Sequence, residues 1–417
     1  VDEAPWAVKT GGSLRRTVSA EHSASGVQAS RRVSTLAPTV FSEFSALAQR
    51  AGAVNLGQGF PDFDGAEVVR EAAVAALRSG HNQYAPGVGA VALRRAIAAH
   101  AARYQGLTLD PDTEVVVTCG ATEAIFDAVQ GLVDVGDEVV TFEPVYDSYA
   151  ASVSMAGGVL RPVTLQPPDG RHPRWWFAPR ALEQAFSART RLLLLNTPHN
   201  PTGKVFTREE LEEIAALCRR WNAVAVVDEV YHHLVYGEAR HVSLATLPGM
   251  ASRTLTLDSG AKTFGFTGWK VGWAMGPKVL RDAVLGAHQY VTFAVPTPLQ
   301  EAVAVALGLP EVHFAELQAG YARRRAKLLG MLRESGWSPW EPEGAYFVCA
   351  DVAGRGFADD DTYCRDLTTR VGVAAIPLSA FYVDRARAPV VARFAFCKSD
   401  ATLDEAARRF RAARDAA

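Results

Sequence analysis

The sequence predicts an α/β protein, with a mostly parallel sheet sandwiched by helices in one large domain and a smaller α+β domain beside it. Three observations predict this. From residue 114 onward, short apolar runs alternate with amphipathic stretches, the rhythm of repeated strand–helix units. Runs such as Val115-Val116-Val117 and Leu192-Leu193-Leu194-Leu195 are apolar at every position, so both faces of the sheet are covered, as in parallel sheets. From about residue 311 the rhythm changes to a long charged helix followed by strands and helices. At 417 residues the chain also exceeds what one small core fills. The expected division is 1–32 as a disordered or arm-like segment, 33–67 as the first part of the small domain, 68–308 as the large domain, and 309–417 as the rest of the small one.

Residues 1–32 are rich in Ser, Ala, Gly and Arg and lack a periodic apolar pattern. They contain no apolar stretch of the kind a secretory signal requires. Order is expected from about Val33, with a short amphipathic helix over 41–48. Residues 55–63 form a glycine-rich loop ending in a proline turn, and helical patterns follow over 66–79 and 90–104. Strands are expected at 115–117, 139–142, 192–195, 224–227 and 254–257. Thr207 and Glu210 have the spacing of a capping box, opening a helix to about Arg220. Farther on, a helix over 314–334 stops at Ser335-Gly336. Strands are expected over 344–348, 371–376 and 391–396, and a last helix over 402–414.

Composition narrows the function classes. The chain is 48% hydrophobic and 21% charged, with a net charge of −2, which gives no basic surface for nucleic acid or acidic lipid. Cys119, Cys218, Cys349, Cys364 and Cys397 are scattered, odd in number and free of any C-x-x-C pair, so neither a disulfide framework nor a zinc site is expected. No apolar run approaches the roughly 18 residues of a membrane span. These features suit a reducing cytoplasm.

Ligands of parallel sheets bind beyond the carboxyl ends of the strands, and the strand ends here carry unusual residues. After 254–257 comes Ser259-Gly260-Ala261-Lys262. A lysine at a strand end in apolar surroundings can lose its proton and attack a carbonyl, because burial disfavours the ammonium form. Lys270 lies eight positions on and suits an anionic group. Strand 115–117 runs into Gly120-Ala121-Thr122, an ordinary helix start that also offers unpaired N–H groups to a phosphate. Strand 139–142 leads to Tyr146, which can stack on a flat ring or pack in the core. Strand 192–195 ends at Asn196, a neutral donor before a rigid Pro-rich turn whose His199 reads as structural. Strand 224–227 ends at Asp228, a carboxylate that is costly to bury unless a cation faces it, with Tyr231 one turn on. A phosphate seat, a ring-stacking aromatic, an amide, a carboxylate, a phenol and an imine-forming lysine together match pyridoxal 5′-phosphate.

With these residues in hand, the chain resembles the fold-type I pyridoxal-phosphate aminotransferases of the aspartate aminotransferase superfamily, from about Val33 onward. The motifs are 55–62 (Asn-Leu-Gly-Gln-Gly-Phe-Pro-Asp), Asn196-x-Pro-His-Asn-Pro-Thr-Gly203, Asp228-Glu-Val-Tyr231, and Ser259-x-x-Lys262 with Thr267-Gly-Trp-Lys270. Within that group it is similar to kynurenine and glutamine aminotransferases, which also act as cysteine-conjugate β-lyases, and to actinobacterial N-succinyldiaminopimelate aminotransferases. The resemblance implies that Lys262 bonds the cofactor aldehyde and moves the reacting proton, and that Asp228 keeps the pyridine nitrogen protonated. Tyr231 and Asn196 would bond the ring oxygen, with Tyr146 stacked on the ring. Gly120, Ala121, Thr122, Ser259 and Lys270 would hold the phosphate, joined by Tyr84 from a second subunit. Arg393 would clamp the substrate carboxylate, helped by Asn196 and the backbone of Gly59, with Phe41 and Phe293 lining the substrate pocket.

Two departures from the kynurenine enzymes bear on side-chain preference: Phe293 is followed by Ala294 where those enzymes carry a Phe-His pair, and Phe41 replaces a tryptophan. The second phosphate cation is Lys270, a choice the kynurenine group shares, where many aminotransferases carry arginine. The expected activity is transfer of an amino group between an L-amino acid and a 2-oxo acid by a homodimer with shared active sites. A specific N-succinyldiaminopimelate aminotransferase, or a β-lyase or other biosynthetic enzyme on the same scaffold, is the alternative. A cofactor-sensing transcription regulator is a further rival, for which 32 N-terminal residues are too few to supply a winged helix.

Overall fold

In a computed structural model, which describes residues 29–34, 36 and 38–415, the chain is organised around a seven-stranded sheet. After the short strand β1 (Val54–Asn55) come β2 (Val115–Thr118), β3 (Glu138–Glu143), β4 (Val159–Thr164), β5 (Thr190–Asn196), β6 (Val224–Asp228), β7 (Thr254–Ser259) and β8 (Gly272–Met275). Their order across the sheet is β2-β8-β7-β6-β5-β3-β4. Strands β3 to β7 pair in parallel, and β8 alone runs against its neighbours β2 and β7. The carboxyl ends of β2, β3, β5, β6 and β7 therefore share one edge of the sheet.

The apolar runs become strands because their β-branched and leucine side chains fill two separate layers. Val116, Val139, Leu192, Leu194, Val226 and Leu257 point into one core, beneath the helices Gly120–Leu132, Asp147–Ala156 and Lys278–Val291. Their neighbours Leu193, Leu195, Ala225 and Val227 point the other way, toward the helix Arg208–Arg220, and Val115 and Val117 toward Val91–Tyr104 and Thr297–Leu307. Each fully buried leucine contributes roughly 1.5–3 kcal/mol. Register then fixes the active edge: Asn196 lies opposite Asp228, Asp228 opposite Leu257, and Ser259 and Thr118 both opposite Gly272. The helix at Arg208 starts with the expected reciprocal cap, Thr207 and Glu210 each bonding the other's backbone N–H.

The remaining strands are β9 (Ser338–Trp340), β10 (Phe347–Asp351), β11 (Val373–Ala374), β12 (Ile376–Pro377) and β13 (Val391–Ala395). They form an antiparallel sheet ordered β12-β13-β10-β9, packed with the helices Glu311–Glu334 and Asp400–Asp415. The early strand β1 joins β11 in parallel, with Val54 opposite Val373.

Several local expectations change. The stretch expected as a strand over 344–348 enters its sheet only at Phe347, because Ala345 sits at φ +57. The stretch 371–376 is not one strand. A π-helical turn, Leu367–Val371, ends at Gly372 (φ +78), and β11 and β12 then join different sheets. β8 was hidden inside a glycine-rich stretch, and β4, an edge strand carrying Pro162, lacks the buried pattern of its neighbours. The expected arm over 1–32 lies outside the described residues except for 29–32, where a short helix, Arg31–Ser34, begins. Among the described residues no helix is long and apolar enough to cross a membrane.

Candidate active site

A cleft at the carboxyl edge of the sheet is lined by Gly120, Ala121, Thr122, Tyr146, Asn196, Asn200, Asp228, Tyr231, Ser259, Lys262 and Lys270, among others. The fold brings ten of the eleven residues expected to bind the cofactor, all but Tyr84, into this one cleft. A wider groove elsewhere, lined by Phe60, Asp62, Lys398 and Glu405, holds none of them.

Lys262 sits on a one-turn helix, Gly260–Phe264, that leaves β7 directly. It keeps partial access through the cleft, yet protein surrounds its amine. Burial lowers the amine's pKa, and the cations Lys270 and Arg393 add to the lowering while Cys397 and Asp228 oppose it. Asp228 closes β6 and is only 7% exposed. Burial pushes its carboxyl up to about 6, against the hydrogen bonds it accepts from the Tyr149 hydroxyl (2.8 Å) and the Val230 N–H (3.3 Å). Such a carboxylate is suited to a cationic ligand atom. Tyr231 is buried at 3%, and burial raises its phenol well above the ordinary range, so it acts as a neutral donor.

Asn196 does structural work as well. Its Nδ2 donates to the Asp228 carbonyl (2.9 Å) and its Oδ1 accepts from the Asn200 N–H (2.6 Å), which locks two strand ends together. An amide nitrogen carries two hydrogens, so one remains for a ligand. His199 is structural: buried, bonded to Thr202 Oγ1 at 2.8 Å, and pushed down to about 3 by burial.

The anion seat is built by close backbone approach. Gly120 adopts φ +77 at the start of the helix Gly120–Leu132, and a Cβ there would lie 3.1 Å from Lys270 Nζ. Lys270 itself holds a left-handed conformation (φ +55), which turns its chain back over that helix start. A Cβ on Gly272 would meet Gly120 C at 2.4 Å, so β8 can carry only glycine beside the seat. Ser259 caps the other side of the seat from the end of β7.

Arg393 lies next to this cleft rather than in its lining, joined to it through Asn200. It is fully buried: one terminal nitrogen donates to Asn200 Oδ1 (3.0 Å) and the other to the Gly57 carbonyl (2.6 Å), while Nε has no partner. Phe347, Phe381 and Phe41 surround the guanidinium at 4.2, 5.0 and 5.3 Å from their ring centres. Burial lowers its pKa to about 10, and an unpaired buried guanidinium nitrogen calls for an anion. Gly59 packs so close to Phe347 that a Cβ there would lie 2.8 Å from its ring, and its carbonyl accepts from Tyr346 Oη at 2.6 Å. Tyr84 and Phe293 do not line the cleft. They pack edge to face on one another (5.3 Å) and are 82% and 52% exposed.

Sequence reasoning missed Tyr149 as the partner of Asp228, though it stands one helical turn beyond Tyr146. It also missed Phe347, Phe381 and Asn200 around the guanidinium. An acid that balances a cationic ring nitrogen, a backbone cradle for a phosphate, and a lysine of lowered proton affinity fit pyridoxal 5′-phosphate. The Gly120 cradle and the buried Asp228 carboxyl are the structural signs of that fit, and the orphaned Arg393 nitrogen beside the cleft suits a second anion.

Comparison with known proteins agrees with this geometry. Residues 51–410 match the family described as aminotransferase class I and II. The solved N-succinyldiaminopimelate aminotransferase of Mycobacterium tuberculosis is 48% identical, with a TM-score of 0.88 over 92% of this chain and 100% of that one. The methionine aminotransferase of Escherichia coli is 40% identical over 90% of this chain and 96% of its own length. The kynurenine–oxoglutarate transaminase of Dictyostelium discoideum is also 40% identical, over 90% and 94%.

Proposed function

The chain belongs to the class I and II aminotransferases, pyridoxal-phosphate enzymes that move an amino group between an amino acid and a 2-oxo acid, and on that premise we propose that Lys262, Asp228, Tyr231 and Arg393 carry the reaction here. The observation that carries the proposal is the meeting of Lys262, Asp228, Tyr231, Asn196 and the 120–122 helix start in one cleft. When bound, the cofactor supplies an aldehyde to receive the amine and a ring that accepts electron density. Gly120, Ala121, Thr122, Ser259 and Lys270 would hold its phosphate, Tyr146 its ring face, and Tyr231 and Asn196 its ring oxygen. Asp228 would hold the proton on its nitrogen.

Arg393 orients the substrate by its carboxylate, using the nitrogen that lacks a partner and the fork geometry of the guanidinium. The surrounding phenylalanines keep water from that ion pair. Lys262 Nζ, whose proton affinity is lowered by burial, takes the proton from the substrate α-carbon. Tyr231 and Tyr149 stay neutral and act by donating hydrogen bonds.

The proposal includes a homodimer, supported by the exposed ring pair Tyr84 and Phe293, which serves no purpose in its own subunit's cleft but suits a neighbour's. It includes the division into a large domain over 68–308 and a small one formed by 33–67 and 309–417, supported by the pairing of Val54 with Val373. A cytoplasmic setting is supported by five cysteines, all unpaired.

The test is a set of half-reactions. Amino acids are added singly to the cofactor-loaded protein without acceptor, and the visible spectrum is followed. N-Succinyldiaminopimelate comes first, after the relative at 48% identity, followed by methionine and kynurenine. A donor in use bleaches the visible band, and a 2-oxo acid restores it. Failure of every α-amino acid to change the spectrum of fully loaded protein would refute the proposal.

A further inference from the structure

We propose that the chain carries a second site, a divalent transition-metal centre formed by the imidazoles of His100, His232 and His233 behind the loop that presents Asp228 and Tyr231. One ring nitrogen from each of the three lies within 4.8 Å of the other two. His100 comes from the helix Val91–Tyr104, and His232 and His233 from the turn that follows β6. In the sequence His100 lies far before the adjacent pair His232-His233 and shows no metal-ligand spacing to them; only the fold unites the three. His100 and His232 are buried and His233 is half-buried, so the cluster is closed on the protein side and reachable from solvent at His233.

Hydrogen bonding on the far side of two rings aims their lone pairs inward. His100 Nδ1 faces the Leu307 carbonyl at 3.2 Å and must donate to it, which leaves the lone pair on Nε2. His232 Nδ1 faces two acceptors, the Glu229 carbonyl (3.1 Å) and Asp258 Oδ2 (3.2 Å), and its buried Nε2 has no partner. A carboxylate or carbonyl behind a histidine is the outer support that metal-binding imidazoles use. His100 Nε2 and His233 Nε2 are 2.8 Å apart, so without a metal one proton is shared between them. A metal ion in place of that proton also gives the orphaned His232 nitrogen a partner.

Spacing and charge agree with this. A tetrahedral ion with metal–nitrogen bonds of about 2.0–2.1 Å sets its ligand nitrogens roughly 3.3 Å apart; His100 Nε2 and His233 Nε2 stand at 2.8 Å and all three nitrogens lie within 4.8 Å of one another. Small rotations of the rings reach that geometry. Asp258 behind His232 and Glu229, bonded to His241 Nε2 at 2.8 Å, supply negative charge around the rings. Three neutral nitrogens suit Zn²⁺, Co²⁺ or Ni²⁺, with a fourth position toward solvent. Because Glu229 and His232 flank the residues that face the cofactor, an ion here would stiffen the turn carrying Asp228 and Tyr231.

The test uses untagged, cofactor-loaded full-length protein freed of metal by dialysis against a chelator and titrated with Co²⁺, followed by Zn²⁺ competition. The expected result is one Co²⁺ per chain with the visible bands of a nitrogen-ligated tetrahedral ion, displaced by Zn²⁺. His100→Gln and His233→Gln should each weaken binding by at least about 100-fold, and Asp258→Asn by about 10–100-fold. Zn²⁺ should raise the melting temperature of the unaltered protein and not that of His233→Gln. No stoichiometric uptake overturns the proposal. So does uptake unchanged in His233→Gln, which would assign the ion elsewhere, for instance to the buried Glu123, Asp127 and His288. His233 is half-buried, so its variant decides the matter even if His100→Gln does not fold.

Discussion

Tyr149 donates its phenolic hydrogen to Asp228 Oδ2 across 2.8 Å of buried space, and this bond is the counterweight to the burial of the carboxylate. Removing it should matter to the cofactor more than to the substrate. Tyr149→Phe is expected to weaken pyridoxal-phosphate binding by roughly 10–100-fold, the effect of losing the about 1.5–3 kcal/mol of a hydrogen bond to a charged group, with KM for the amino acid unchanged. Equilibrium dialysis of the cofactor and steady-state kinetics check the two halves. A change in KM alone would assign Tyr149 to the substrate side.

Asp228 also makes a pH prediction for the cofactor-free protein. Its folded value of about 6 lies above the ordinary 3.8, so the folded chain binds more protons than the unfolded one between those values. Stability therefore falls as pH rises through that window, and above it the loss is complete, on the order of 2–3 kcal/mol. Asp228→Asn keeps an acceptor for Tyr149 and removes the charge. It should stabilise the cofactor-free protein at pH 8 and give no gain at pH 4, as read from urea unfolding midpoints. Equal midpoints for the two proteins at pH 8 would contradict the assignment.

Gly120 tests the phosphate seat. Gly120→Ala adds a methyl 3.1 Å from Lys270 Nζ on a backbone at φ +77, and should raise the cofactor dissociation constant at least about tenfold. Gly80→Ala is the control: φ is +90, but nothing lies within 4 Å of the added carbon. It should cost stability of about 1 kcal/mol and leave cofactor binding alone. Fluorescence titration with pyridoxal phosphate distinguishes the two.

Arg393→Ala should raise KM for the amino donor steeply, by about 2–4 kcal/mol of charge-paired binding, while the cofactor stays bound. Stopped-flow half-reactions measure this without an acceptor. An unchanged KM would move the carboxylate clamp elsewhere.

Much of this site was legible because the strand ends announce themselves. Asn196 and Asp228 each follow an uninterrupted apolar run, Ser259 follows the alternating Thr254-Leu255-Thr256-Leu257 and Asp258, and parallel pairing leaves such ends no destination but a common edge. What stayed hidden had no local signature. β8 reads as loop because Gly272 is there to let the backbone of Gly120 and Ala121 approach. Gly372 ends a π-helical turn inside what reads as one strand, and the chain breaks again at Ala375, between β11 and β12, which join separate sheets. The aromatic box around Arg393 draws Phe41, Phe347 and Phe381 from three distant segments, and periodicity assigns each only to a core. Tyr149 was within reach, one turn past Tyr146, but nothing in the sequence says that its hydroxyl meets Asp228.

The central claim is that the Lys262 amine is the one that bonds the cofactor, and it can be read directly. The protein loaded with pyridoxal phosphate is reduced with borohydride and digested, and the peptides are mapped by mass. The account predicts that the added pyridoxyl mass falls on Lys262 alone, and that Lys262→Ala protein, still folded, shows no visible cofactor band and no labelled peptide. Stoichiometric label on any other lysine, with Lys262 unmodified, would contradict it.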